Sequence, residues 1–240
     1  MSDIQTPSTP NPEPTPQQAL EQRFIPKALS ELDVQGVNLK LSLSYADTVF
    51  AKVGIDAWLT KLPILKSLTP FRSHKRSQDL DISCVVLDEQ CNVVDSIWYA
   101  NLRNANQSLR HTGDSLQGAS TYEENFINQE EIHVRLKELP DTAHHLLFFV
   151  SSFYKHPLAR ANKGVVILSD NENRNIYKLS LDTLEKHTHA LLLCHLQKID
   201  GEFLLDMPLK VVEIKDTQPQ VFIKTLADLS SEYILNPRNL

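Results

Sequence analysis

From Val37 to Ile214 the sequence is a series of short apolar runs, each cut off by turn-forming residues before it reaches helical length. Leu39, Leu41 and Leu43 alternate with Lys40 and Ser42, the period of a strand with one face buried. Ile132, Val134 and Leu136 alternate with His133, Arg135 and Lys137 in the same way. Runs at 82–87 and 93–99 flank a polar turn at 88–92, and runs at 164–168 and 176–181 flank a turn rich in Asn and Asp. Residues 145–153 are apolar almost throughout, as in a strand covered on both faces. Asp200-Gly201 separates two further runs, a strong hairpin signal because the turn needs positive φ at both positions. Tyr45 to Asp47 reads as a polar break before another run at 48–55. One helix is expected near the end. Phe222, Leu226, Leu229 and Tyr233 fall at i, i+4, i+7 and i+11, and this stripe is expected to pack on a sandwich edge. About ten short strands and one late helix predict an all-β fold, two antiparallel sheets packed face to face.

The first 22 residues are of another kind. Pro7, Pro10, Pro12, Pro14 and Pro16 alternate with small polar residues and show no apolar period. Such a stretch buries too little surface to offset its ordering entropy, so 1–22 is expected to be a disordered tail and 23–240 the folded domain. A proline-docking ligand is the second reading of the tail. Residues 56–78 are looser, are interrupted by Pro63 and Pro70, and carry Arg72, His74, Lys75 and Arg76 near their end. A solvated loop is expected there, with a site for an anionic partner as the alternative.

Charge and cysteine usage narrow the function. A net charge of −6 offers no basic footprint to neutralise phosphates, which argues against nucleic acid as the main partner. No apolar run approaches the roughly 18 residues of a membrane span, and no basic start leads into an apolar stretch as in a secretory signal. Cys84, Cys91 and Cys194 are odd in number and lack C-x-x-C spacing, which predicts free thiols and a cytoplasmic home. Cys84 and Cys194 lie in apolar runs and are expected to be buried; Cys91 lies in a turn.

Two stretches carry candidate chemistry. In Asp79-Leu80-Asp81-Ile82-Ser83 an extended chain puts both carboxylates on one face, with Leu80 pointing away. Paired carboxylates repel unless a cation, a proton or a basic side chain lies between them. The second stretch, His111-Thr112-Gly113-Asp114-Ser115-Leu116-Gln117-Gly118, leads into a loop bearing Glu123, Glu124, Asn128, Gln129, Glu130 and Glu131. Glycines around an aspartate let main-chain carbonyls turn toward a hard cation.

The order of these motifs resembles the TerD family: DLD-x-S at 79–83, Tyr99-Ala100-Asn101, HTGD at 111–114, then an acidic loop into a strand ending at Leu139-Pro140. The resemblance runs from about residue 35 to 236. It implies a β-sandwich whose clustered acidic loops bind calcium, in a bacterial stress protein of the tellurium-resistance type. Partners implied are other proteins of a stress operon and a companion membrane protein. Mapped onto this chain, the implied ligands are Asp79, Asp81, Asp114 and Glu130, with Asn101, Asn128 and the Gly118 carbonyl as helpers. The chain departs from the family in the loop after HTGD. Asn128 and Gln129 replace two aspartates before Glu130, most glycines are missing, and Ser115 stands where asparagine is usual. Calcium takes about 6–8 oxygens and loses affinity as carboxylates give way to amides, so one weakened site is expected. The alternative is a domain without a metal, acting as a protein–protein interaction module.

No enzyme signature accompanies these features. The chain lacks a G-x-S-x-G elbow, an H-E-x-x-H pair, a phosphate-cradling glycine loop and a dinucleotide fingerprint. No aromatic pocket beside the acidic residues is evident, and His111 is expected to be a structural residue of its turn. His187 and His189 would share a face in extended chain as a possible metal pair, but no third ligand accompanies them. His144 and His145 fall on opposite faces of their strand, which places one of them in the core or at its rim.

Overall fold

A computed structural model describes residues 25–32, 34, 38–46, 49–50, 76–116 and 129–236, with only the main chain at 49–50 and 76–77. The expected tail at 1–22, most of the looser segment at 56–78 and the loop at 117–128 lie outside the described residues.

The strands in chain order are β1 (Lys27–Ala28), β2 (Asn38–Ala46), β3 (Val49–Phe50), β4 (Arg76–Ser77), β5 (Leu80–Leu87), β6 (Val93–Ile97) and β7 (Leu109–His111). There follow β8 (Glu130–Arg135), β9 (His145–Ser152), β10 (Asn162–Asp170), β11 (Asn175–Ser180), β12 (Ala190–Ile199), β13 (Glu202–Asp206) and β14 (Lys210–Val211). A single helix, α1 (Pro219–Leu235), closes the described chain. It is the only α-helix among the described residues, and none of them forms a helix long and apolar enough to cross a membrane.

Two antiparallel sheets make the sandwich. One has seven strands in the order β1-β13-β12-β9-β5-β6, with β14 also pairing β12; the other has five, ordered β11-β10-β2-β8-β7. A small β3-β4 ribbon stands apart. Leu39, Leu41 and Leu43 of β2 and Ile132 and Val134 of β8 face inward, meeting Leu80, Ile82, Cys84, Leu146, Phe148 and Val150 of the larger sheet. The alternation seen in the sequence is therefore the inner face of the five-stranded sheet. Asp200 and Gly201 take φ of 50° and 84° between β12 and β13, the turn their dipeptide predicts.

Two expectations need correction. β2 does not break at Tyr45: it runs to Ala46, and Tyr45 continues the inward series of Leu39, Leu41 and Leu43 as a fully buried side chain. The strand period outweighs the hydroxyl, which finds partners inside. The helix, too, packs on a face and not on an edge. Phe222 and Leu226 bury against Val85, Leu87, Leu147, Phe149 and Leu192 on the outer side of the seven-stranded sheet. All eight residues of β5 and all eight of β9 are buried; the second sheet covers one face of each strand, and α1 covers Val85, Leu87, Leu147 and Phe149 on the other.

Candidate metal centre

The site begins where a sheet loses a strand. β6 pairs β5 only from Cys84 to Leu87, so the main-chain N–H groups of Leu80 and Ile82 face an open edge. A buried N–H without an acceptor costs about 1–3 kcal/mol, so acceptors must come from elsewhere. They come from the other sheet. Tyr45 Oη accepts from Leu80 N at 3.2 Å, and Glu130 Oε2 accepts from Ile82 N at 2.9 Å.

The HTGD turn hangs from the same glutamate. Glu130 Oε1 accepts from Ser115 N at 3.2 Å, and His111 Nε2 lies 3.3 Å from Glu130 Oε2, both side chains fully buried. Gly113 N donates to His111 Nδ1 at 3.0 Å, which makes Nδ1 the acceptor and leaves Nε2 as the proton-bearing nitrogen facing Glu130. Gly113 takes φ +125°, a conformation that side chains disfavour. Thr112 Oγ1 accepts from Glu131 N at 2.8 Å and so pins the turn to β8. Each letter of the motif thus has a local task, and the turn delivers Asp114.

Asp79, Asp81 and Asp114 each offer a carboxylate oxygen, and these oxygens lie within 4.8 Å of one another. Asp79 and Asp81 are only 4% and 3% exposed, whereas Asp114 faces solvent. Asp79 Oδ1 is buried with no hydrogen-bond partner. Burial, then the charges of Asp114 and Glu130, push the Asp79 carboxyl up to about 7. Asp81 is raised well above the usual carboxylate range by burial, then by Glu130, Asp79 and Asp114. Asp114 rises too, with burial outweighing the opposing effect of His111. Three carboxyls brought together out of water favour either a bound proton or a cation among them.

The structure therefore brings three of the four expected carboxylates together. Glu130 stands behind them, its oxygens already accepting from Ile82 and Ser115, with His111 Nε2 3.3 Å away but making no hydrogen bond. Asn101 is exposed and donates from Nδ2 to Ser96 O at 2.6 Å, closing the turn after β6. Gly118 and Asn128 lie outside the described residues. Gln129 accepts Tyr45 N through Oε1 at 2.6 Å. His187 and His189 belong to no metal-competent group among the described residues.

Sequence reasoning missed two tyrosines. Tyr45 Oη also donates to Ser115 O at 3.4 Å, and burial raises its hydroxyl, with Asp79, Glu130 and Asp81 adding to the effect. Tyr99 sits close enough for Asp81, Asp114 and Asp79 to raise its hydroxyl after burial does, and its ring packs on Trp98, Phe153 and Phe222. Aromatic residues do flank the acidic group, contrary to expectation. The period-2 position of Tyr45 was the available signal; for Tyr99 it was the Tyr99-Ala100-Asn101 motif, in which Asn101 and not the tyrosine was expected at the ion.

The free thiols of Cys84 and Cys194 are buried, and burial raises both. His145 is the buried member of its pair: it stacks on His195, which in turn meets Tyr233 of α1, and lies 3.0 Å from it between Nδ1 and Nε2.

Comparison with known proteins agrees with this architecture. The TerD domain model matches residues 35–207. The tellurium resistance protein TerZ of Serratia marcescens is 26% identical over 127 residues, which is 53% of this chain and 63% of that protein's length. The chain thus spans less than two thirds of that relative. A crystal structure of a homologue of the telluride resistance protein TerD, SCO6318 from Streptomyces coelicolor A3(2), superposes with a TM-score of 0.57 at 11% identity, over 80% of this chain and 98% of that one. A protein of unknown function, SAV2460, gives the same TM-score and identity over 79% and 96%. At that identity the two structures speak to the fold alone. With a family model that covers most of the chain, and a sandwich of the kind its relatives adopt, this protein belongs to the TerD domain family.

Proposed function

We propose that this protein is a calcium-binding stress protein of the tellurium-resistance type that works by binding partner proteins and not by catalysis. The observation that carries the reading is Asp79 Oδ1, a carboxylate oxygen buried beside two other carboxyls and lacking any hydrogen-bond donor. Buried polar atoms in native folds are almost always satisfied, and an acceptor oxygen in acidic company takes up either a proton or a cation, the cation being the partner in this reading. Hard oxygen donors suit calcium or magnesium, and calcium is the less demanding of the two in coordination geometry. Asp79, Asp81 and Asp114 would hold the ion; main-chain carbonyls and water would complete its shell. Glu130 fixes the position of Asp114 from behind.

An ion held there would link β5 to the HTGD turn and so order the surface around Asp114 and Ser115. That surface is the one offered to partners in this reading, other proteins of a stress operon among them. Cytoplasmic residence belongs to the same reading and rests on cysteine usage.

Thermal melting with and without calcium tests it. At about 100 times its dissociation constant the ion stabilises the fold by roughly 2.7 kcal/mol, several degrees for a domain of this size. Asp79→Asn and Asp81→Asn are expected to abolish the gain. An unchanged melting temperature in millimolar calcium, together with partner capture indifferent to chelator, would favour a metal-free interaction module instead.

A further inference from the structure

The outer face of the five-stranded sheet carries a straight row of basic side chains. Lys40 lies directly opposite His133, His133 opposite Arg110, and Arg110 opposite Arg103 through an isolated bridge. Directly opposed residues of antiparallel strands project to the same face. Lys40 sits between the inward Leu39 and Leu41, and Arg110 between the buried Leu109 and His111, so that face is the outer one. Three strand spacings make the row about 14 Å long. Arg135, two residues beyond His133 on β8, extends it along the strand.

Like charges directly opposed across strands destabilise a sheet, and acidic neighbours answer only part of this row. Glu131 lies 3.5 Å from Lys40 Nζ and 2.8 Å from His133 Nε2, and Glu138 lies 2.6 Å from Arg135. The exposed guanidinium groups of Arg103 and Arg110 have no hydrogen-bond or ion-pair partner among the described residues. Beside the row is a cavity of about 520 Å³, lined by Lys40, Arg110, His133 and Arg135, with Asn171 and Asn173 of the β10–β11 turn in its wall. That is the size of a small-molecule site. Asp170 also lines it, but its carboxylate is engaged by the amides of Glu172 and Arg174 and by Arg174 Nε. Asn173 Oδ1 accepts from Lys40 Nζ at 2.8 Å, which holds the ammonium toward the cavity wall.

We infer that this row and cavity bind a small polyvalent oxyanion of the phosphate type. Arg110 in the cavity lining and Arg103 beside it in the row can donate bidentately to such groups, and lysine adds a point charge at the other end. A ligand with two anionic ends satisfies the row better than a single phosphate does. The cavity is small, and the chain as a whole is acidic at −6, which disfavours a long polyanion. The cavity lies on the outer sheet face and reaches His111 and Thr112 of the turn that carries Asp114, so the two sites are kept apart in the test by leaving out divalent cations.

Isothermal titration of the full chain with inorganic pyrophosphate tests it, at constant ionic strength and without divalent cations. Saturable binding to one site is expected, weakened roughly tenfold or more by Arg103→Gln with Arg110→Gln. Both arginines are exposed, so the variant's melting temperature should match that of the parent. Lys186→Gln with Lys215→Gln removes two exposed charges outside the cavity lining and should change affinity less than about twofold. Arg110→Lys, which keeps the charge but loses the fork, should fall between parent and double variant. No saturable binding, or equal affinity in the arginine variant, overturns the inference. So does duplex DNA captured through the same arginines in preference to pyrophosphate.

Discussion

Glu130 Oε2 accepts the main-chain N–H of Ile82 at 2.9 Å, and this contact joins the five-stranded sheet to the seven-stranded sheet behind the acidic group. The same side chain holds Ser115 N and faces His111. Glu130→Ala would strand two amides and a buried imidazole at once. The expected loss is about 3 kcal/mol or more in urea unfolding, with calcium binding weakened as Asp114 loses its mooring. A loss below about 1 kcal/mol would mean that water replaces the carboxylate and that the tie is dispensable.

Tyr45 does the companion task at Leu80. Tyr45→Phe keeps the buried ring and deletes only the acceptor for Leu80 N and the donor to Ser115 O. A destabilisation of about 1–3 kcal/mol is expected, with the amide of Leu80 exchanging faster with deuterium. Unchanged exchange at Leu80 would show that its N–H has another acceptor.

The acidic group makes stability depend on pH. Asp79 rises from its ordinary 3.8 to about 7 in the fold, and Asp81 and Asp114 move the same way. A raised carboxyl favours the fold while protonated, so its contribution is full below about pH 3.8 and is lost as pH climbs through about 7. His195, pushed down to about 3 by burial and then by His145, acts in the opposite sense: its contribution is full above its ordinary value of 6.5 and falls away on acidification. The two are separated by comparing the parent with Asp79→Asn. In calcium-free buffer the variant should melt higher than the parent at pH 8, and the gap should close toward pH 4. The gain from calcium should likewise be larger at pH 8 than at pH 5.5, because the ion displaces fewer protons. A gap that does not change with pH would show that Asp79 does not titrate as its surroundings dictate.

Leu226 of α1 is fully buried, against the outer side of the seven-stranded sheet. Leu226→Ala should cost about 2–5 kcal/mol, whereas Val221→Ala, at a position 43% exposed on the same helix, should stay within about 0.5 kcal/mol. Equal effects in chemical denaturation would mean that the helix is not docked on the sheet.

Much of the sandwich could be read from period alone. Leu39, Leu41 and Leu43 announced an inner face, and Asp200-Gly201 announced a hairpin, because side-chain parity and the sign of φ are local properties. The same parity places Tyr45 inside, although its polar hydroxyl and the following Asp47 resemble the start of a break. For α1 the stripe from Phe222 to Tyr233 showed that the helix had an apolar face without showing what that face met. Only the pairing of β5 between β9 and β6 created an outer surface in need of a cover.

The chain by itself determined which residues could alternate, turn or carry charge: the leucines of β2, the glycine of HTGD, the two aspartates around Leu80. The meeting of Asp79 and Asp81 with Asp114, and the place of Glu130 behind them, was decided by tertiary structure. An unfinished strand pairing left two amides of β5 without acceptors, and the opposite sheet supplied them. Sequence spacing encodes local geometry through bonds and dihedral angles, whereas the burial that leaves Asp79 Oδ1 without a donor exists only once two sheets have closed over it.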